Sequence, residues 1–188
     1  MSQESTKHEI ISLLNKVNRD GIDRLIEFLE KTDFFAAPAS TKFHSNYEGG
    51  LADHSLNVYK ELKDLTNGEW PEETIIVVGL LHDICKVNNY KVEMRNKKNP
   101  DTGVWYQEPY YTTDDLMPLG HGEKSVMLIS EFIRLTKEEL YSIRWHMGGY
   151  EAKENYSYIS AAYYKYPLAV YTHMADLKAT YIDEEIKS

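Results

Sequence analysis

The pair His82-Asp83 is the part of this sequence best suited to do chemistry. It follows the apolar run 75–81, where a histidine and a carboxylate are costly to bury unless they have a partner. A metal ion is a suitable partner, because imidazole nitrogen and carboxylate oxygen bind Mn, Fe, Co, Ni, Zn or Mg. Other residues of the same types lie on both sides of the pair, namely His54, His121, His146 and Asp176. The sequence therefore predicts a metal centre.

The spacing of the pair limits how an ion can be held. Neighbouring residues on a helix diverge by about 100°, so His82 and Asp83 cannot bind one ion by lying on a single helical face. We expect the ion near the end of the helix that carries both, with His54 and Asp176 closing over it from two other helices. These four residues are the predicted ligands of a first divalent metal.

The order of these residues resembles the HD superfamily of metal-dependent phosphohydrolases. Five segments between about residues 44 and 180 carry the resemblance. They are 49–58 (GGLADHSLNV), 80–86 (LLHDICK), 120–125 (GHGEKS), 145–148 (WHMG) and 173–176 (HMAD). The subgroup they resemble most is the HD domain of bacterial 3′-to-5′ exoribonucleases, here standing alone. The resemblance implies an all-α helical bundle, and we expect one domain over residues 1–188.

Local signals indicate the elements that would position the site. Pro71 is expected to begin the helix of the His82-Asp83 pair, and Pro167 the helix that carries Asp176. Residues 136–139 form a capping box, which predicts a helix running to about His146. Residues 90–113 interrupt the helical pattern with two β-prone stretches around a turn-rich segment, so we predict a small inserted β-hairpin.

The resemblance implies that a metal-bound hydroxide attacks the phosphorus of a phosphate ester. Asp83 is then a candidate to bridge a second metal or to orient the attacking water. Lys86 lies nearly one helical turn beyond Asp83 and is predicted to bind a phosphate oxygen as a mobile point charge. His44 is an equal candidate for contacting substrate or for capping backbone groups in its loop. For Cys85 we predict no chemical role.

His121 and His146 have several open roles. They are candidates for a second metal site, for contacts to the substrate phosphate, or for donating a proton to the leaving group. Relatives with two metals usually carry two consecutive histidines where this chain has His146-Met147. A thioether adds little to a site of hard ligands, so we expect one tight ion and leave the second open.

Composition narrows the possible substrates. The net charge of −9 argues against a protein whose whole surface binds nucleic acid. We expect a small phosphorylated substrate, with nucleotides as the leading class. The alternatives are a 3′-to-5′ single-strand nuclease, motivated by the exoribonuclease-like segments and the basic, aromatic hairpin, and a non-catalytic nucleotide or metal sensor. The lone cysteine and the polar N-terminus predict a cytoplasmic protein without a membrane partner.

Overall fold

The computed structural model describes residues 2–43 and 45–184, and helices dominate it. The helices are α1 (Gln3–Leu14), α2 (Ile22–Lys31), α3 (Gly50–Thr66), α4 (Glu72–Leu81), α5 (His121–Ser130), α6 (Lys137–Arg144), α7 (Tyr156–Lys165) and α8 (Leu168–Lys178). Between α4 and α5 lie the strands β1 (Tyr90–Lys98) and β2 (Trp105–Thr113), which pair as an antiparallel hairpin. The predicted helical bundle with a small hairpin insertion is confirmed.

Helix α4 lies at the centre of the bundle. Every residue from Thr74 to Leu81 is buried, as expected for a helix that is apolar on all sides. Helix α3 packs against both α4 and α8, and α8 packs against α6. The helices that carry the candidate ligands are therefore those that surround or continue from the buried apolar run.

Two glycines allow the ligand-bearing helices to approach closely. A Cβ atom at Gly79 in α4 would lie 2.6 Å from Cα of Tyr59 in α3. A Cβ atom at Gly122 in α5 would lie 2.1 Å from the carbonyl oxygen of Arg144 in α6. Neither contact leaves room for a side chain, so these glycines set the spacing of α3 to α4 and of α5 to α6.

The expected helix starts occur in the structure. Pro71 and Pro167 are the N-cap residues of α4 and α8. The capping box is confirmed, because the hydroxyl of Thr136 accepts from the backbone N–H of Glu139 and the Glu139 carboxylate accepts from the N–H of Thr136. Helix α6 ends at Arg144, two residues before His146.

The Glu139 carboxylate also joins separate parts of the bundle. It is fully buried and accepts two hydrogen bonds from the Arg19 guanidinium, at 2.6 and 2.8 Å. The Thr74 hydroxyl of α4 donates to the same carboxylate at 2.9 Å. The connection after α1 and the start of α4 are thereby tied to α6.

The chain leaves the helical path at the His82-Asp83 pair. Helix α4 ends at Leu81, His82 is its C-cap, and Asp83 has φ −107° and ψ 17°. A short 3₁₀ turn, Ile84–Lys86, comes next. The prediction that one helix carries both residues is therefore wrong. The backbone of Asp83 lies in the bridge region, which is common at functional sites, and the bend takes its carboxylate out of the helical path.

The hairpin has the predicted bounds. Tyr90 pairs with Thr113 at its base, and the register continues without a break to the turn. In that turn the Asn99 side-chain oxygen accepts from the backbone N–H groups of Asp101 and Thr102, at 2.9 and 3.0 Å. This Asx turn is the structural basis of the turn signal in the sequence.

Helix α7 was not predicted from the sequence. Only Ile159 and Ala162 of this tyrosine-rich segment are buried, and they give a weak apolar stripe. Among residues 2–43 and 45–184, no helix has both the length and the hydropathy that crossing a bilayer requires.

Replacing Gly79 tests the close approach of α3 and α4. Gly79→Ala should lower the free energy of unfolding by about 1–3 kcal/mol through overpacking, although alanine is the better helix former. Gly149→Ala is the matched control, because a Cβ there meets nothing within 4 Å, and it should stay within about 0.5 kcal/mol of the wild type. Urea denaturation measures both. Equal stability of the two variants would contradict this account of the helix spacing.

Candidate metal centre

His54 lies inside helix α3 and is fully buried. Its Nδ1 atom is 2.9 Å from Oε1 of Glu184, and its Nε2 atom is 3.3 Å from Nε2 of His82. Asp176 of α8 places Oδ1 3.3 Å from the same Nε2 atom. The structure therefore brings α3, α8 and the end of α4 together around one imidazole nitrogen.

His82 is oriented by the end of its own helix. Its Nδ1–H group donates to the carbonyl oxygen of Gly79 at 2.9 Å, which leaves Nε2 as an acceptor facing the site. Burial lowers the pKa of His82 to about 3, so its imidazole is neutral at physiological pH. A neutral imidazole with a free lone pair is the form that binds a metal ion.

The Asp83 carboxylate lies between two groups of side chains, and its Oδ2 atom faces the first group. This oxygen is 3.6 Å from Nε2 of His54 and 3.6 Å from Nε2 of His82. The ammonium of Lys86 lies 2.5 Å from it. One carboxylate oxygen thus meets two imidazole nitrogens and a fixed positive charge.

The second oxygen, Oδ1, faces His121 and His146. Nε2 of His121 is 2.6 Å away and Nε2 of His146 is 3.4 Å away. The Nδ1–H group of His146 donates to the Ile143 carbonyl at 2.7 Å, as that of His82 does at the end of α4. Both histidines therefore direct a ring nitrogen towards Asp83.

Burial and neighbouring charged side chains act in opposite directions on the pKa values of Asp83, His54 and His121. Burial opposes the charged form of Asp83, but Lys86 and the neighbouring histidines hold the pKa of this carboxyl well below its usual value. Burial likewise opposes protonation of His54, yet its contacts with Asp176 and Glu184 raise its pKa to about 9. Burial also lowers the pKa of His121, but the Asp83 charge outweighs it and raises this pKa to about 10.

The residues present fit a divalent cation. Ligand atoms of His54, His82 and Asp83 lie within 4.8 Å of one another, and so do those of Asp83, His121 and His146. Nε2 of His146 is buried and has no hydrogen-bond partner among the described residues. The 3.3 Å contact between Nε2 of His54 and Nε2 of His82 requires a positive charge between two lone pairs, from a proton or a metal. Nitrogen and carboxylate donors suit Mn, Fe, Co, Ni, Zn or Mg.

Among the residues considered from the sequence, His44 lies outside the described part of the chain, so its role stays a prediction. His173 contacts the loop after α6 through a hydrogen bond to the His146 carbonyl at 2.7 Å. Cys85 is buried, with its sulfur 3.5 Å from Nε2 of His121. Sequence reasoning missed Glu184, because a single glutamate near the end of the chain carries no motif.

The family model described as HD domain matches residues 51–184. The chain belongs to the HD domain family. This identification confirms the predicted family. HD domains bind divalent metals, and the histidine and aspartate groups described above could hold one.

One curated relative adds a chemical class. Residues of this chain are 41% identical over 61 positions to dihydroneopterin 2′,3′-cyclic phosphate phosphodiesterase from Methanocaldococcus jannaschii. The match covers 29% of this chain and 24% of that protein, so the chain spans only about a quarter of the relative. No solved structure gives a significant match. Together the family and this relative support a metal-dependent hydrolase of the phosphodiesterase type, whereas the exoribonuclease likeness stays a prediction.

The raised pKa of His54 predicts how metal affinity changes with pH. Below a pKa of about 9 the imidazole is protonated, so an ion that binds Nε2 must displace that proton. Affinity for Mn²⁺ should therefore rise about tenfold per pH unit for each proton displaced, between about pH 6.5 and 8.5. Calorimetry in buffers of different ionisation enthalpy counts the released protons. An affinity that does not change over this range, with no proton release, would contradict the proposed role of His54.

Proposed function

We propose that this chain is a metal-dependent phosphohydrolase that cleaves a phosphate ester, and that a small nucleotide is its substrate. The observation that supports this most directly is the Asp83 carboxylate, buried between two groups of imidazole nitrogens. Such a shared carboxylate suits a centre that binds one or two cations beside a phosphate. We further propose a cytoplasmic protein with a single domain over residues 1–188.

The metal would be held mainly on the Oδ2 side of Asp83. His54, His82, Asp83 and Asp176 would bind the first ion, which when bound lowers the pKa of coordinated water and neutralises charge on phosphoryl oxygens. On the other side, Asp83 is joined by His121 and His146 alone among the described residues. Because Met147 stands where a further imidazole would add a ligand, we propose that a second ion binds more weakly.

Two charged side chains would act on the substrate itself. The Lys86 ammonium, ion-paired with Asp83, would bind a phosphoryl oxygen at the edge of the site. His121 is one-third exposed, and its raised pKa of about 10 keeps it protonated at neutral pH. While no second ion is bound, it would donate a proton to the leaving oxygen, which makes departure of the alcohol easier.

Surface charge favours a small substrate over a nucleic acid strand. Arg95 and Lys97 of the hairpin both pair with Glu108, and Lys91 pairs with Glu93. These basic groups have acidic partners already, so a strand would gain less from them. The curated relative is named for a 2′,3′-cyclic phosphate, and we include this class of small phosphodiester among the expected substrates.

A substrate panel tests the proposal. The metal-loaded chain would be assayed with nucleoside monophosphates, 2′,3′-cyclic nucleotides and an end-labelled single-stranded oligonucleotide. We expect hydrolysis of a small nucleotide that is lost on chelation and in Asp83→Asn. Shortening of the oligonucleotide alone would establish the nuclease alternative, and binding of nucleotide without turnover would establish the sensor. Either result would overturn the proposed function.

Removing the Lys86 charge should affect catalysis and not metal content. Lys86→Gln should lower kcat/KM by about 10²-fold, because one charge facing the phosphoryl group is lost. Elemental analysis should find the wild-type number of tight ions, since an ammonium cannot bind a cation. Lys91→Gln, on the exposed hairpin, is the control and should retain wild-type rates. Loss of metal in Lys86→Gln, or rates equal to those of the control, would contradict this role.

A further inference from the structure

The Glu184 carboxylate is a buried charge outside the predicted ligand set. It comes directly after the turn Ala179–Asp183 that continues helix α8, and its side chain is only 4% exposed. Oε1 lies 2.9 Å from Nδ1 of His54 and accepts from the Asn57 amide at 3.2 Å. Oε2 accepts from the Ser45 hydroxyl at 2.6 Å. A carboxylate this deeply buried, with donors from three other residues, is held in one position.

The position of His54 in its helix explains why a carboxylate is needed there. His82 and His146 lie just past the ends of α4 and α6, and each donates Nδ1–H to the carbonyl three residues earlier, Gly79 or Ile143. Those carbonyls are available because the last four of a helix lack intrahelical partners. His54 is the fifth residue of α3, where carbonyls are engaged in the helix itself. Its Nδ1 atom must therefore find an acceptor from another segment.

We propose that Glu184 is a positioning residue for the metal centre, which orients the His54 ring and leaves Nε2 directed at the ion. This inference rests on the proposed function of His54 as a ligand. A carboxylate that accepts Nδ1–H fixes the ring tautomer and makes the opposite nitrogen a better donor to the metal. The segment after α8 thus serves the same centre to which α8 contributes Asp176.

The alternative is that Glu184 only fastens the end of the described chain to α3. The same two elements offer a control for that reading, because Lys178 of α8 forms an ion pair with Glu61 of α3. Neither partner of this ion pair is one of the predicted metal ligands. A role in fastening predicts similar effects from losing either carboxylate, whereas a positioning role predicts an effect on the metal from Glu184 alone.

Co²⁺ alone is a suitable probe, because visible absorption reports both its affinity and its ligand geometry without substrate. Glu184→Gln should weaken Co²⁺ binding by about 10–100-fold and alter the absorption band. Glu184→Asp keeps the charge on a shorter stem and should lie between Gln and wild type. Glu61→Gln should keep the wild-type band and affinity. Thermal unfolding of each metal-free variant shows whether fold stability has changed.

Wild-type affinity and spectrum in Glu184→Gln, or equal weakening in Glu61→Gln, would overturn the positioning role. If Glu184→Gln does not fold, Glu184→Asp decides the question in the same way. The result is independent of hydrolysis, because Co²⁺ binding is read without substrate. A wild-type chain that binds Co²⁺ but cleaves no phosphate ester would contradict the proposed function alone. A wild-type chain that binds no Co²⁺ would contradict both the proposed function and the positioning role of Glu184.

Discussion

The buried negative charge of Asp83 is the constraint around which the helices are arranged. The residue is only 3% exposed, and an ionised carboxylate at such a position is costly unless other groups compensate it. Compensation comes from the Lys86 ammonium on its own turn and from His121 of α5, while His54 of α3 and the histidines just past the ends of α4 and α6 face the same carboxylate. Each of those elements must lie close to the others for this to occur. The glycines at the two tight helix contacts make that closeness possible.

The two oxygens of this carboxylate divide the centre into unequal halves. On the Oδ2 side, two imidazoles and the nearby Asp176 converge, and each histidine has its Nδ1 atom fixed by an acceptor. On the Oδ1 side, His121 and His146 are the only histidines in the described part of the chain that face the carboxylate, and His121 is partly open to solvent. The closed half suits a tightly held cation, while the open half suits substrate or a weaker ion.

Much of this arrangement could be predicted from the sequence because motifs mark it. The apolar run before His82, the capping box at Thr136 and the turn after β1 are local signals, and local signals depend little on the rest of the fold. The bend at Asp83 was not predictable in this way, since the apolar run continues to Leu81 without a stop signal and tertiary contacts decide the backbone path beyond that residue. Glu184 was missed for a related reason. Its role depends on His54 being in mid-helix, a long-range relation that no spacing along the chain reveals.

The central claim is that His54, His82, Asp83 and Asp176 enclose one divalent ion, and anomalous diffraction from crystals grown with Mn²⁺ tests it most directly. The account predicts that the strongest anomalous peak lies about 2.0–2.3 Å from the nearest nitrogen or oxygen of all four side chains. Any peak near His121 and His146 should be weaker. A fully occupied Mn²⁺ ion that leaves Asp176 or His54 without contact, or a strongest peak elsewhere in the chain, would contradict the account.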